Sequence, residues 1–230
     1  SKNQLPSPLA VGDAMAYLAW YDGKSPLAVA TLWSVGRVAV ASLLVMLVGI
    51  PLGVLMGASP RVNAVLSPLI DPFRSAPVAA LLPIMVMWFG FDWQSKAAVV
   101  VIMTFFPQLV NTVAGLASSG AMERDLMKTY AASYGQTLLS LRLPAALPFI
   151  FNGFKINSTL ALIGAIVAEF FGTPILGMGF RINVEVGRMN IDMVWATIVV
   201  AALCGSLFYG ILAFIEKRVT FWHASYRQGA

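Results

Sequence analysis

Glu169 is the side chain best placed to do chemistry in this sequence, because it is a carboxylate inside a long apolar run. Ionisable groups at membrane depth are costly, and they mark solute paths, ion paths or structural pairs. Two roles are open for Glu169: fixing the turn at Phe171-Gly172, or lying beside a solute path. Arg37 sits near the corresponding end of another apolar run, and its expected partner is Glu169 or Asp192. Met85, Trp88 and Phe105, with Met87, Phe89 and Phe106 beside them, are candidates either for lining a path for a planar or amphiphilic solute or for plain helix packing.

Other reactive combinations are missing from the sequence. There is no Gly-x4-Gly-Lys-Ser/Thr loop to cradle a nucleotide, no His-Glu-x-x-His and no Cys/His cluster. His223 is the single histidine, and Cys204 the single cysteine, inside an apolar run. One histidine cannot relay protons or hold a metal by itself, and one cysteine sets no disulfide framework. Ser118 and Ser119 have no partner base nearby. No catalytic residue, metal site or cofactor is therefore expected, and the chain reads as a non-enzyme. Carboxylates are nearly absent from the apolar runs, which weighs against an ion-coupled secondary transporter, the alternative function.

These residues must be positioned by elements that live in lipid. Of the 230 residues, 59% are hydrophobic and 11% charged, with mean hydropathy +0.80. Soluble domains are nearer half apolar and a quarter charged. Spans of about 20 apolar residues are needed to cross a bilayer. Five candidates occur, at roughly 32–56, 76–91, 97–116, 147–171 and 193–215; the second is short and holds Pro77 and Pro83. The fold class is thus all-α integral membrane, in one domain at 32–216. Residues 1–31 are expected outside the cytoplasm, with a short interfacial helix over Val11–Tyr21 that sets Trp20 and Tyr21 at headgroup level. A basic cytoplasmic tail follows at 217–230. Gly49, Gly53 and Gly57 share one helix face, which suits close packing within the chain or between two copies.

The net charge of +5 does not point to nucleic acid, because the basic residues lie in connections between apolar runs. Nine of the 15 Lys and Arg fall on the side of connections 57–75 and 117–146 and the tail, and six on the other. The positive-inside rule then puts 117–146 in the cytoplasm. The N-terminus falls outside, so a further span is expected before Ser1, making six in the full protein. No internal repeat is visible.

The connection from Met127 to Pro148 is too patterned for a plain loop. Small residues Ala131, Ala132 and Ser133 are followed by Gly135, which is expected to end or turn a short helix, and by an apolar run expected to stop at Pro144. This predicts two short helices at an angle. The pattern resembles the loop of binding-protein-dependent ABC importer permeases, Glu-Ala-Ala, three residues, Gly, a helical stretch, then Leu-Pro. Ala131, Gly135, Leu143 and Pro144 match. Thr129 and Tyr130 stand where Glu and the first Ala usually stand, and the Gly135–Leu143 stretch is about one helical turn short.

The resemblance extends along the chain. Leu5-Pro6-Ser7-Pro8 is similar to the family's segment after its first span, and Thr31, Ser34 and Arg37 to the start of its next. Asp71 to Pro77 with Leu82-Pro83 resemble its signature before the third span, and Trp88-Phe89-Gly90 closes that span. Gly164 to Gly172 and Gly177-Met178-Gly179 resemble the end of its fourth. The branch resembled imports nitrate, alkanesulfonates, taurine and bicarbonate. The short loop and the run Arg142 to Pro148 look more like relatives for thiamine pyrimidine precursors or riboflavin.

The resemblance implies a type I ABC importer transmembrane domain (MetI-like) in the bacterial inner membrane. It implies a second copy of this chain, two ATP-binding subunits that hold the ATP and Mg, and a periplasmic or lipid-anchored binding protein. The ATPase subunit would dock on the 124–142 loop, at Thr129, Tyr130, Ala131, Ala132, Ser133, Tyr134, Gly135, Gln136, Leu143 and Pro144.

Overall fold

The computed structural model describes residues 6–20, 26–75, 78–170 and 177–222. The landmarks at Leu5, Tyr21, Ala76-Pro77, Phe171-Gly172 and the tail from His223 lie outside them. Among the described residues the chain is helical, without strands. The helices are α1 (Pro8–Trp20), α2 (Pro26–Ala58), α3 (Pro60–Ser75), α4 (Val78–Phe89), α5 (Trp93–Ala117), α6 (Ala121–Thr129), α7 (Tyr134–Thr137), α8 (Leu143–Phe170), α9 (Met178–Gly187) and α10 (Ile191–Val219), with a π-turn at Leu138–Arg142 between α7 and α8.

Three of these helices begin at a proline that follows a serine: Ser7-Pro8, Ser25-Pro26 and Ser59-Pro60. Proline suits the first helical position, where its missing N–H would have had no partner and its fixed φ is already helical. Ser7 Oγ accepts from the Ala10 N–H at 3.2 Å, as an N-cap does.

Four helical stretches are long and apolar enough to span a membrane: Leu27–Ala58, Trp93–Ala117, Tyr134–Phe170 and Ile191–Val219. They contain most of the expected spans at 32–56, 97–116, 147–171 and 193–215, and extend them at their ends. The fifth expected span corresponds to α4, whose 12 residues reach about 18 Å, short of a hydrocarbon core of about 30 Å.

The connection between α6 and α8 departs from expectation in two ways. The apolar run does not stop at Pro144, since α7, the π-turn and α8 form one helical stretch from Tyr134 to Phe170. In an α-turn the ring of Pro144 would meet the carbonyl four residues back, and Pro144 has no N–H to donate. The wider turn accommodates it, with the Leu143 N–H donating to Leu138 O. Gly135 does not end a helix either; it lies in the first turn of α7. Ser133 and Gln136 form a reciprocal capping box there, with Ser133 N–H donating to Gln136 Oε1 at 2.7 Å and Gln136 N–H to Ser133 Oγ at 3.3 Å. The chain reverses at Ala131, which takes left-handed φ 51. There the Ala132 N–H reaches Met127 O and the Ala131 N–H reaches Lys128 O, a Schellman closure of α6.

Contacts group the chain into two compact units, 1–42 with 77–102 and 158–208, and 43–76 with 103–157 and 209–230. The first has a core of Val38 and Ala41 from α2, Val100 from α5, and Ala161 and Ala165 from α8. Its alanines allow three helices to approach closely. A second cluster joins Ala14 of α1, Leu27 of α2 and Ala196 of α10. The core of the other unit is Leu116 of α5 with Ala146 and Ile150 of α8, covered by Ile50 and Val54 of α2. The Gly49, Gly53 and Gly57 face of α2 is used there. A Cβ on Gly53 would come within 2.7 Å of Thr112, and one on Gly57 within 2.6 Å of Leu116. The stripe therefore packs α2 against α5 of the same chain.

Candidate functional site

The loop residues singled out by sequence are displayed on a helix–turn–helix. In α6 no residue is buried, although Met122, Leu126 and, just past its end, Tyr130 are large apolar or aromatic side chains at helical spacing, with Tyr130 75% exposed. Thr129, Ala131, Ser133, Tyr134, Gly135 and Gln136 are exposed as well, while Ala132, Leu143 and Pro144 are half-buried. A Cβ built on Gly135 meets nothing within 4 Å. Gly120 N–H donates to Glu123 Oε2 at 2.9 Å at the start of α6, and Arg124 caps back onto the Ser119 carbonyl. Lys128 Nζ lies 2.8 Å from Asp125 Oδ1, and this contact holds the Asp125 carboxyl below the usual carboxylate range. The element is held by its own caps and leaves an apolar stripe uncovered in this chain.

Glu169 and Arg37 meet in the first unit, as depth predicted, with Arg37 Nη1 2.5 Å from Glu169 Oε1. Both are buried, at 1% and 5% exposure. Ser34 Oγ lies 2.8 and 3.0 Å from the two carboxylate oxygens, and the Gly179 N–H donates to Oε2 at 2.8 Å. Ser34 Oγ in turn accepts from the Met178 N–H at 3.0 Å. One carboxylate thus joins α2, α8 and the first turn of α9. The approach depends on glycine, since a Cβ on Gly179 would collide with the Ile166 carbonyl, and Gly177 takes φ 143 beside the carboxylate. Asp192 opens α10 instead.

The other pathway candidates are placed differently. Met85 is buried, and Trp88 is 71% exposed with Met87 and Phe89 beside it. These belong to the first unit. Phe105 belongs to the second, where it covers Gly49 and meets Phe106 edge-on at 5.4 Å. Ser118 and Ser119 serve as helix-end and capping groups, Ser118 Oγ donating to Gly115 O at 2.7 Å.

A carboxamide network in the second unit was not anticipated. Asn157 Nδ2 donates to Gln108 Oε1 at 3.1 Å, Gln108 Nε2 to Ile150 O at 3.3 Å, and Asn152 Nδ2 to Asn111 Oδ1 at 3.2 Å. Gly153 makes room, since a Cβ there would sit 2.7 Å from Gln108 Oε1. The sequence signal was present: four carboxamides on two spans, which in lipid act as polar glue between helices. Lys155 and Glu216 pair at 2.7 Å in the same unit.

The chain is similar to known transport proteins. It is 32% identical over 224 residues to the taurine transport system permease protein TauC of Escherichia coli (strain K12), covering 95% of this chain and 80% of that one. It is 36% identical over 174 residues to the formylaminopyrimidine transport permease protein ThiX of Halalkalibacterium halodurans, covering 76% and 69%. Among solved structures, a chain of the MetNI methionine ABC transporter, in inward-facing conformations, superposes with TM-score 0.72 at 18% identity, over 85% of this chain and 96% of that one. The fold is that of a type I importer permease. Residues 49–221 match the family described as binding-protein-dependent transport system inner membrane component, and the chain belongs to that family of ABC transporter permeases.

Proposed function

We propose that this chain is the translocation subunit of a bacterial ATP-driven importer and that α6 and α7 form its dock for a separate ATP-binding subunit. The observation that carries the reading is the uncovered stripe of Met122, Leu126 and Tyr130 on a helix that buries none of its own residues. An apolar surface outside the spans, rimmed by charges such as Glu123, Asp125 and Lys128, is the surface of a protein partner. Two copies of the chain surround the path, two ATP-binding subunits occupy the docks, and a periplasmic or lipid-anchored binding protein delivers the solute. ATP and Mg belong to the partner, and the complex sits in the bacterial inner membrane.

The test is Gly135→Arg. A Cβ at Gly135 meets nothing within 4 Å, so the new side chain starts into open space. The variant is expected to extract and elute as the unaltered protein does, yet to lose co-purification with the ATP-binding subunit. Normal co-purification contradicts the docking role.

Trp88 offers exposed aromatic surface for a path in the first unit, whereas Arg37 and Glu169 act as a strut, because both carboxylate oxygens are already occupied by protein donors. The solute is a small polar molecule. The taurine and formylaminopyrimidine relatives support either a sulfonate-type or a pyrimidine-precursor cargo.

A further inference from the structure

The carbonyls that end α2 and α5 have a shared partner. The last four C=O groups of a helix lack an intrahelical donor. In the second unit, Arg142 Nη2 donates to Gly57 O at 2.7 Å and Nε to Leu116 O at 3.1 Å. One guanidinium therefore closes the ends of two membrane helices. Its Nη1 lies 3.2 Å from Tyr134 Oη, and that hydroxyl donates to the Ala58 carbonyl. Tyr134 is the first residue of α7, within the proposed dock, and Arg142 is the last residue of the π-turn that leads into α8. A cation at two helix C-termini is also favoured by both helix dipoles.

The chemistry requires arginine. Its donors leave from three nitrogen atoms in a planar fork and so reach three separate acceptors. A lysine ammonium offers its donors from one atom and cannot match that spread.

We infer that Arg142 is a positioning residue for energy coupling: it ties the dock to the ends of α2 and α5, so that displacement of α6 and α7 by the ATP-binding subunit moves both spans together. The inference rests on the docking role proposed above, and the experiment separates the two. The permease is assembled with its ATP-binding subunit in nanodiscs, and amide hydrogen exchange is compared with and without a non-hydrolysable MgATP analogue. In the unaltered complex the nucleotide should change exchange over 121–137 and also over 54–59 and 113–119. In Arg142→Leu the response over 121–137 should persist. Exchange at the two helix ends should rise about tenfold, as expected when charge-assisted hydrogen bonds are lost, and should no longer respond to nucleotide. Arg142→Lys should keep only part of the response. Nucleotide response at the helix ends of Arg142→Leu equal to that of the unaltered complex overturns the inference. No response over 121–137 in the unaltered complex overturns the docking role and this inference with it. If neither variant assembles, Arg142 is a folding residue and the coupling role is overturned.

Discussion

Glu169 accepts from Ser34 and Arg37 of α2 and from the Gly179 N–H in the first turn of α9. Removing one partner of a buried ion pair leaves an uncompensated charge, at a cost of about 3–5 kcal/mol, whereas replacing both by apolar residues is close to neutral. Glu169→Ala should therefore lower the thermal unfolding temperature of the purified protein sharply. Arg37→Met combined with Glu169→Leu should recover most of the loss. A double variant as unstable as Glu169→Ala would show that the pair is not a simple strut. The pairing was legible because two opposite charges stood at matching depth in otherwise apolar runs. The bonds from Arg142 were not, because its acceptors are backbone carbonyls at Gly57 and Leu116, and backbone groups carry no mark in sequence. Ala131 illustrates the same limit: a left-handed residue that is not glycine is set by the closure of α6 and not by its own side chain.

At the scale of helices, long apolar runs marked five candidate spans, and four of the helices are long and apolar enough to cross a membrane, since lipid requires each to satisfy its own backbone. The amphipathic helices α3 and α9 were left as connections because neither has a span-length apolar run. Their starts and stops were nevertheless written in the chain. Ser59-Pro60 opens α3, and the Ser133 to Gln136 capping box opens α7. Reading Gly135 as a stop overlooked that box. The glycine stripe gives a direct prediction about helix contact. Gly53→Ala places a methyl 2.7 Å from Thr112 and should destabilise the protein by about 1–3 kcal/mol, as overpacking does. Gly210→Ala, with nothing within 4 Å, should change stability by no more than about 1 kcal/mol. Thermal unfolding of the two variants side by side checks this. Equal loss in both would mean that the α2 to α5 contact does not set the requirement for glycine at 53.

For the whole molecule, fold and family were both readable, because the landmarks that carry them are spread from Leu5 to Gly179 and the match covers residues 49–221. The cargo was not, because the groups that select it need not lie in this chain. A permease of this kind has no energy source of its own. On the proposed reading its two openings are states whose populations shift only as far as a partner binds one better than the other. The most direct test is uptake by proteoliposomes that hold the permease with its ATP-binding subunit, in the presence of the binding protein. Taurine, an alkanesulfonate, formylaminopyrimidine, riboflavin and bicarbonate are offered as labelled solutes. Accumulation of one of them that requires internal ATP and survives an ionophore is the predicted result. Accumulation that collapses with the ionophore while ATP is held constant would contradict ATP-driven import and make the chain an ion-coupled carrier.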